Sequence, residues 1–119
     1  MQTQTLLTLA AAIALTACTP SKPLECPTTQ MRGADGVLVE TSAEIAAFGD
    51  RFREGYSGNA IPDAIAAVRQ QYPGATDDEV RNFLIAAYCP VARETASGLS
   101  AQQAGLQQFE TALAANLAP

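Results

Sequence analysis

The chain has 119 residues, 48% of them apolar and 16% charged, a composition typical of one folded domain rather than of a disordered segment. Twelve acidic and seven basic residues give a net charge of −5, which argues against nucleic acid as a partner because phosphate binding needs clustered Lys and Arg. His is absent, which excludes a Ser-His-Asp triad, a His-ligated zinc site and a Cys-x-x-Cys-His haem attachment.

The first predicted element is a signal peptide over residues 1–17. Leu6–Ala17 is an uncharged apolar run of the length of a signal-peptide core, and it is too short to span a bilayer. The run ends in Leu15-Thr16-Ala17-Cys18, which resembles the lipobox of bacterial lipoproteins. That resemblance implies cleavage before Cys18, a thioether-linked diacylglycerol on its sulfur and acylation of the new amino terminus. Ordinary signal cleavage after Ala14 is the alternative.

Cysteine parity favours the lipoprotein interpretation. With Cys18 lipidated, Cys26 and Cys89 remain as a pair for a disulfide in an oxidising compartment. The pair is not a Cys-x-x-Cys redox motif, so we expect a structural bridge. Closing a loop of about 60 residues lowers the conformational entropy of the unfolded state, which stabilises the folded state by roughly 4 kcal/mol. Thr19, rather than Asp, follows Cys18, and this resembles lipoproteins that Gram-negative bacteria sort to the outer membrane. The resemblance implies an anchor there that faces the periplasm.

The mature chain divides into a tether and a domain. Residues 18–25 carry two prolines and no core-forming pattern, which predicts a short, flexible tether. Residues 26–119 are expected to form the periplasmic domain. Within it, the turn dipeptide Asp35-Gly36 and the following Val37–Val39 predict an extended segment packed on the helices. A hairpin with Thr28–Arg32 is the alternative.

The spacing of apolar residues predicts four helices, and hence a small all-α bundle. The first runs from about Ser42 to Glu54 and begins at a Thr-x-x-Glu capping box on Thr41. Gly49 within it is expected to allow a close helix crossing. Its apolar stripe consists of Ile45, Phe48, Phe52 and Tyr56.

The second predicted helix begins after the cap residue Asn59 and ends at the breaker Tyr72-Pro73-Gly74. Pro62 lies in its first turn, where a missing N–H costs nothing. The residues expected to form its buried stripe are Ile61, Ile65, Val68 and Tyr72.

The third predicted helix has a capping box formed by Thr76 and Glu79. The acidic residues of its first turn interact favourably with the positive end of the helix dipole. Pro90 is expected to end or kink this helix at Cys89, with one further turn as far as Thr95. Its apolar stripe consists of Val80, Phe83, Leu84, Ala87 and Tyr88.

The last predicted helix opens with Ser100 and Gln103 as a third capping pair. Its glutamine-rich outer face is interpreted either as a solvated surface or as a docking surface for another envelope protein. The residues expected on its buried face are Leu106, Phe109, Leu113 and Leu117.

A second resemblance covers Tyr72–Leu117. The segments YPGA, EVRNFLIAAYCPVA and LSAQQAGLQQF are similar to small uncharacterised alphaproteobacterial proteins with an "AYCPVV"-type helix. Phe83 replaces a Tyr of that pattern, and Ala92 replaces its second Val. The resemblance implies a helical envelope protein without a known activity.

Other candidate chemistry in the sequence is weak. Asp77, Asp78 and Glu79 could ligate a hard cation, but consecutive acids in one helical turn point in different directions. Tyr56, Tyr72 and Tyr88 end apolar stripes and are interpreted as core-edge residues rather than as a ligand box. We therefore predict no catalytic residue, no cofactor and no metal site.

Three functions remain open at this point. The first is a non-catalytic accessory lipoprotein that binds another envelope component. The second is an inhibitor or immunity-type lipoprotein against a cationic toxin or muramidase, to which an acidic binder would be drawn by charge. The third is a small-ligand binding module, which a deep cavity lined by tyrosines would favour and a filled core would disfavour.

Overall fold

Four helices follow a short β-hairpin in the computed structural model, which describes residues 24–32, 35–55 and 59–117. The element bounds are Gln30–Arg32 for β1, Leu38–Glu40 for β2, Ser42–Glu54 for α1, Ala60–Gln71 for α2, Asp77–Thr95 for α3 and Leu99–Leu117 for α4. The predicted helical bundle is confirmed, and so are the predicted bounds of α1. The hairpin precedes the bundle.

Helix α3 lies at the centre because it packs against α1, α2, α4 and β1. Its predicted stripe is buried, apart from the half-buried Tyr88. Neighbours on several sides also bury residues outside that stripe. These are Ile85, Ala86, Cys89, Val91 and Ala92. Periodicity missed them because a hydrophobic stripe indicates one buried face, whereas a central helix is covered on most of its circumference.

Two groups of aromatic rings fill the space around α3. In the first, the fully buried ring of Phe83 meets Phe48 edge-on at 5.2 Å and lies 5.8 Å from Tyr72. In the second, Phe109 of α4 stacks on Tyr88 with centroids 4.2 Å apart and meets Phe52 edge-on at 5.3 Å. These rings connect α1, α3 and α4 and give the core much of its apolar area.

A close approach between α1 and α3 occurs at Gly49. A Cβ atom at this position would lie 3.0 Å from the carbonyl oxygen of Ala87, closer than ordinary van der Waals contact. The predicted close crossing at Gly49 is therefore confirmed. The glycine lowers helix propensity by roughly 1 kcal/mol but allows the two backbones to meet.

The capping box of α3 is present in both halves. Thr76 Oγ1 accepts the backbone N–H of Glu79 at 3.2 Å, and the Glu79 carboxylate accepts the backbone N–H of Thr76 at 2.9 Å. Two N–H groups that a helix start leaves unpaired are thus satisfied. This predicted cap is confirmed.

Thr41 and Asn59 occupy the predicted N-cap positions without forming side-chain cap hydrogen bonds, and the predicted cap at Ser100 is wrong. The Thr41 hydroxyl donates to the Thr29 carbonyl at 2.6 Å, so it ties α1 to the chain before β1 instead of capping the helix. Asn59 makes no side-chain cap hydrogen bond. Ser100 lies inside the first turn, since α4 begins one residue earlier and the Gln102 N–H donates to the Gly98 carbonyl at 3.2 Å.

Pro90 does not end α3. The helix continues through it to Thr95, so the first predicted alternative, an end at Cys89, is wrong, and the predicted further turn is present. Proline removes one backbone hydrogen bond of the helix interior. The residues just beyond it, Val91 and Ala92, are buried, and their packing supports the helix where that bond is missing.

The hairpin pairs β1 with β2 antiparallel, with Met31 opposite Val39. This confirms the hairpin alternative. Met31 is fully buried in the main core, whereas every residue of β2 is exposed. The prediction that Val37–Val39 packs on the helices is therefore wrong, because β1 supplies the side chain that fills the available space.

Candidate interaction surfaces

The predicted disulfide joins Cys26 to Cys89, and their Cα atoms are 5.4 Å apart. Cys89 is fully buried near the C-terminal end of α3, so the bridge fixes the N-terminal segment to the centre of the bundle. Cys18, with the rest of residues 1–23 and the signal-peptide prediction, lies outside the described residues. Two of the three cysteines are thus paired, and the third is the cysteine of the lipobox-like sequence.

The chain docks on α3 before it reaches the disulfide. Leu24 is buried against Cys89 and Ala92, and its carbonyl oxygen accepts a hydrogen bond from Arg93 Nη1 at 3.1 Å. Sequence reasoning assigned Leu24 to the tether because a single Leu next to Pro and Glu has no periodicity. The contact places the N-terminal side of the domain at the C-terminal end of α3.

The hairpin lies at the opposite end of α3. Arg32 forms an ion pair with Glu79 in the first turn of that helix, at 3.7 Å. Residues 26–32 therefore run back along α3 from Cys89 towards its N-terminus. Glu79 and Cys89 are ten positions apart on the helix, a distance of about 15 Å at 1.5 Å per residue. The Leu24 docking point and the hairpin are thus well separated.

The exposed hydrophobic side chains of this hairpin form the first candidate surface. Val37, Leu38 and Val39, which we call the apolar arm, are 58%, 48% and 39% exposed, respectively. They are consecutive, and β2 has a hydrogen-bonded neighbour only at β1 within the described sheet. Contiguous exposed apolar residues on a sheet edge are typical of contact sites for other proteins.

Local interactions hold the apolar arm in place. Asp35 Oδ1 accepts the backbone N–H of Val37 at 3.1 Å, and Gly36 has a φ of 82°, which only glycine adopts readily. The Gly36 carbonyl accepts from Arg32 Nη1 at 3.2 Å. The signal for this turn, Asp35-Gly36, was visible in the sequence, but the exposure of the residues after it was not.

An ionised carboxylate ends the apolar arm. Glu40 accepts hydrogen bonds from the hydroxyl and the backbone N–H of Ser42, and these lower the pKa of the Glu40 carboxyl. Asp35 stands at the other end of the arm. The arm is thus a short edge segment with an acidic residue at each end, and its side chains Leu38 and Val39 project from opposite faces of the strand. This combination suits a partner with apolar and basic side chains that adds along the edge.

The outer face of α4 is the second candidate surface. Five exposed residues share one line along it, and we call them the α4 stripe: Ala101, Ala104, Gln108, Thr111 and Ala115. Glu110 is the only charged residue in the whole helix. By contrast, α1 and α3 carry several exposed acidic and basic residues. Charge depletion of this kind is typical of the buried part of protein interfaces.

The acidic turn of α3 is engaged in hydrogen bonds and ion pairs. Asp77 pairs with Arg69 at 2.6 Å, and Glu79 binds the Thr76 backbone and Arg32. In the part of the chain that the structure describes, no three His, Cys, Asp or Glu residues converge as metal ligands would. These acids are used in helix capping and in joining α3 to its neighbours.

Tyr72 and Tyr88 belong to different parts of the core. Burial raises the pKa of Tyr72, and the negative charge of Glu44 raises it further. Burial also raises the pKa of Tyr88. Tyr72 lies beside Phe83 and Tyr88 stacks on Phe109, so the two hydroxyls do not converge on one site. Tyr56 lies outside the described residues.

Compared with protein-family models, curated proteins and solved structures, the chain has no match. Within the described residues, no helix has the length and apolar character needed to cross a bilayer. The two surfaces therefore have to be interpreted from their own chemistry.

Proposed function

We propose that this chain is a lipid-anchored, non-catalytic module of a bacterial cell envelope that binds another envelope protein. The pairing of cysteines carries the proposal. The disulfide uses Cys26 and Cys89, which leaves Cys18, at the end of an apolar run, as the sulfur available for a lipid. Two or more acyl chains on one residue form a lasting anchor. Thr19 after Cys18 supports sorting to the outer membrane.

The geometry of the domain supports a role in binding. Five residues lie between Cys18 and the docked Leu24, so a lipid on Cys18 would hold the domain within roughly 20 Å of the bilayer. The hairpin that carries the apolar arm lies at the other end of α3, where Arg32 pairs with Glu79. A lipid-anchored domain with an apolar strip at its far end is suited to contact a protein in the periplasm.

Acyl labelling tests the anchor. Cells that express the full chain are fed radiolabelled palmitate, and we expect label on the wild-type chain and none on Cys18→Ser. Globomycin should cause the unprocessed wild-type chain to accumulate, because it blocks cleavage before a lipidated cysteine. If globomycin does not inhibit cleavage of the chain and no acyl label is found, the proposal is contradicted and cleavage after Ala14 is favoured.

Photo-cross-linking tests the binding surface. A photoreactive amino acid at Leu38 should give a discrete cross-linked product in cells, whereas the same group at Ala66, an exposed residue of α2, should not. Leu38→Ser should weaken binding to the identified partner without changing the helix content. Equal products from both positions would show that the apolar arm has no special role.

A second candidate function rests on charge. The net charge of −5 favours encounter with a cationic protein such as a toxin or muramidase. In that case a basic muramidase should bind the chain with an affinity that falls steeply as salt is raised. Binding that is independent of salt, or absent at low salt, would exclude this candidate.

A further inference from the structure

We infer that the edge of β2 that faces away from β1 binds an extended segment of a partner protein as an added strand, with a Lys or Arg of that segment beside Glu40. This partner is the envelope protein of the proposed function, on which the inference rests. In strand addition, main-chain hydrogen bonds supply affinity and alternating side chains supply specificity. Three features of the hairpin favour such a segment: its open edge, its outer face and a polar cleft beside it.

The main chain of β2 offers the hydrogen bonds that strand addition needs. Within the described residues, β2 pairs with β1 alone, so its second edge carries N–H and C=O groups without a strand partner. Native proteins usually protect such an edge with charged side chains or proline. The residues of the apolar arm include neither, and all of them are exposed. The edge is therefore open to another strand.

The hairpin holds this edge in place before a partner binds. The side chain of Met31, opposite Val39, is fully buried in the core. At the end of the hairpin away from the turn, the Thr41 hydroxyl donates to the Thr29 carbonyl at 2.6 Å. A strand that is already fixed loses little conformational entropy when a partner adds to it.

Leu38 and Glu40 define the side chains that the partner should carry. Residues two positions apart project from the same face of a strand, so these two side chains share the outer face, away from the buried Met31. An added strand places its own side chains opposite them with the same alternation. The side chain opposite Leu38 should therefore be apolar, and the one two positions along, opposite Glu40, should be basic.

A polar cleft beside Glu40 can receive the basic side chain. It is lined by Thr28, Thr29, Gln30, Glu40 and Ser42. These side chains offer hydroxyl, amide and carboxylate oxygens, all of which accept N–H groups from Lys or Arg. Both hydrogen bonds that Ser42 donates end on Oε1 of Glu40, so they orient the carboxylate. The lowered pKa of Glu40 keeps this carboxylate charged, as an ion pair with the partner requires.

Peptide binding to the full chain tests the inference. The probe is acetyl-Lys-Val-Val-Val-Lys-amide, whose side-chain order is the same in both directions, so it suits a parallel or an antiparallel strand. It is titrated into the isotope-labelled full chain in detergent micelles, and amide shifts are followed by NMR. The amides of residues 37–40 should shift, whereas that of Ala66, exposed on α2, should not. N-methylation of the three valines of the peptide should weaken binding about tenfold or more, because it removes main-chain donors.

Matched variants test the charge. Glu40→Gln keeps an oxygen that Ser42 can donate to and removes the negative charge. It should weaken binding of the Lys peptide about two- to fivefold, the range of an exposed ion pair, and should not affect acetyl-Gln-Val-Val-Val-Gln-amide. Glu54→Gln, which removes an exposed charge at the end of α1, is the control and should change neither affinity. Equal effects of Glu40→Gln on both peptides would contradict a basic side chain beside Glu40.

The outcomes separate this inference from the proposed function. If the N-methylated peptide binds as well as its parent, or if the parent does not shift residues 37–40, the inference is wrong, while a discrete Leu38 cross-link in cells still supports the proposed function. If the amides of β2 shift when the protein alone is diluted, a second copy covers the edge and the inference is also wrong. Specific peptide binding without a Leu38 cross-link in cells would support the edge chemistry and contradict the proposed function.

Discussion

The helical bundle and the N-terminal segment from Leu24 to Glu40 are held by different kinds of interaction. In the bundle, apolar side chains of all four helices pack around α3, and ring meets ring across the core. In the segment, contacts with the helices are individual ones: the disulfide, the buried side chains of Leu24 and Met31, the hydrogen bonds that Arg93 and Thr41 donate to it, and the ion pair of Arg32 with Glu79. Packing positions the bundle, whereas single specific bonds position the segment.

This difference matters for the proposed function, because the segment carries the apolar arm and would link the domain to the proposed lipid anchor. The three exposed residues of the apolar arm add little to the core, so the arm has to be held by other contacts. The disulfide reduces the conformational entropy of the unfolded chain, and the hydrogen bonds to Asp35 and Gly36 stabilise the turn. A change in the bundle should therefore unfold the whole domain, and a change in the segment should release the arm.

The largest loss of stability is expected from Phe83→Ala. Phe83 is fully buried and lies against Phe48 and Tyr72, so truncation removes apolar contacts of α1, α2 and α3 together. Loss of a buried aromatic side chain costs about 3–5 kcal/mol. Chemical denaturation followed by circular dichroism measures the change. Leu38→Ala is the matched control, since its side chain is half exposed; equal losses for the two variants would contradict this account of the core.

Removing the disulfide should have the next largest effect on stability. It should also loosen the N-terminal segment more than the helical bundle. We expect Cys26→Ala with Cys89→Ala to lower stability by about 2–4 kcal/mol, with part of the loss from the small cavity at Cys89. Hydrogen exchange at Met31 and Val39 should become fast, while the amides at the centre of α3 stay protected. A uniform rise in exchange rates across the molecule would show that the segment and the bundle unfold as one unit.

The same comparison explains which features the sequence predicted. Helices were recognised because repeating apolar residues and breakers such as Tyr72-Pro73-Gly74 are local signals, and Gly49 was recognised because a glycine inside a helix is costly unless two backbones meet there. The bridge between Cys26 and Cys89 followed from counting cysteines. Each of these inferences depends on neighbouring residues or on chemical type.

Contacts between distant residues were missed. The motif Thr-x-x-Glu occurs at Thr41 and at Thr76, yet only Thr76 caps its helix. At Thr41 the hydroxyl donates to the carbonyl of Thr29 and its oxygen accepts no N–H of the first turn. That carbonyl lies within reach only because the hairpin folds back. The burial of Leu24 and the exposure of the apolar arm were missed for the same reason. The burial of Leu24 and the exposure of the apolar arm both depend on how the N-terminal segment folds against α3.

A moderate effect is expected from Thr41→Val. This substitution keeps the shape of the side chain and removes the hydroxyl that donates to the Thr29 carbonyl. The carbonyl left unpaired belongs to Thr29, which is half-buried, so water can partly replace the lost donor and the cost should be about 1–2 kcal/mol. Thr41→Ser, which keeps the donor, is the control in the same denaturation experiment. If Val and Ser variants are equally stable, the hydrogen bond does not hold the segment.

The smallest of these effects is expected from Thr76→Ala, which removes the acceptor of the Glu79 N–H at the start of α3. Loss of an N-cap side chain costs about 1 kcal/mol. Thr76→Ser should restore most of this stability, and Asn59→Ala should cost much less, because Asn59 makes no cap bond from its side chain. Since α3 is central, the loss should appear in global unfolding with the denaturant slope unchanged. Local fraying alone, with an unchanged unfolding midpoint, would mean that the first turn of α3 folds independently of the core around Phe83.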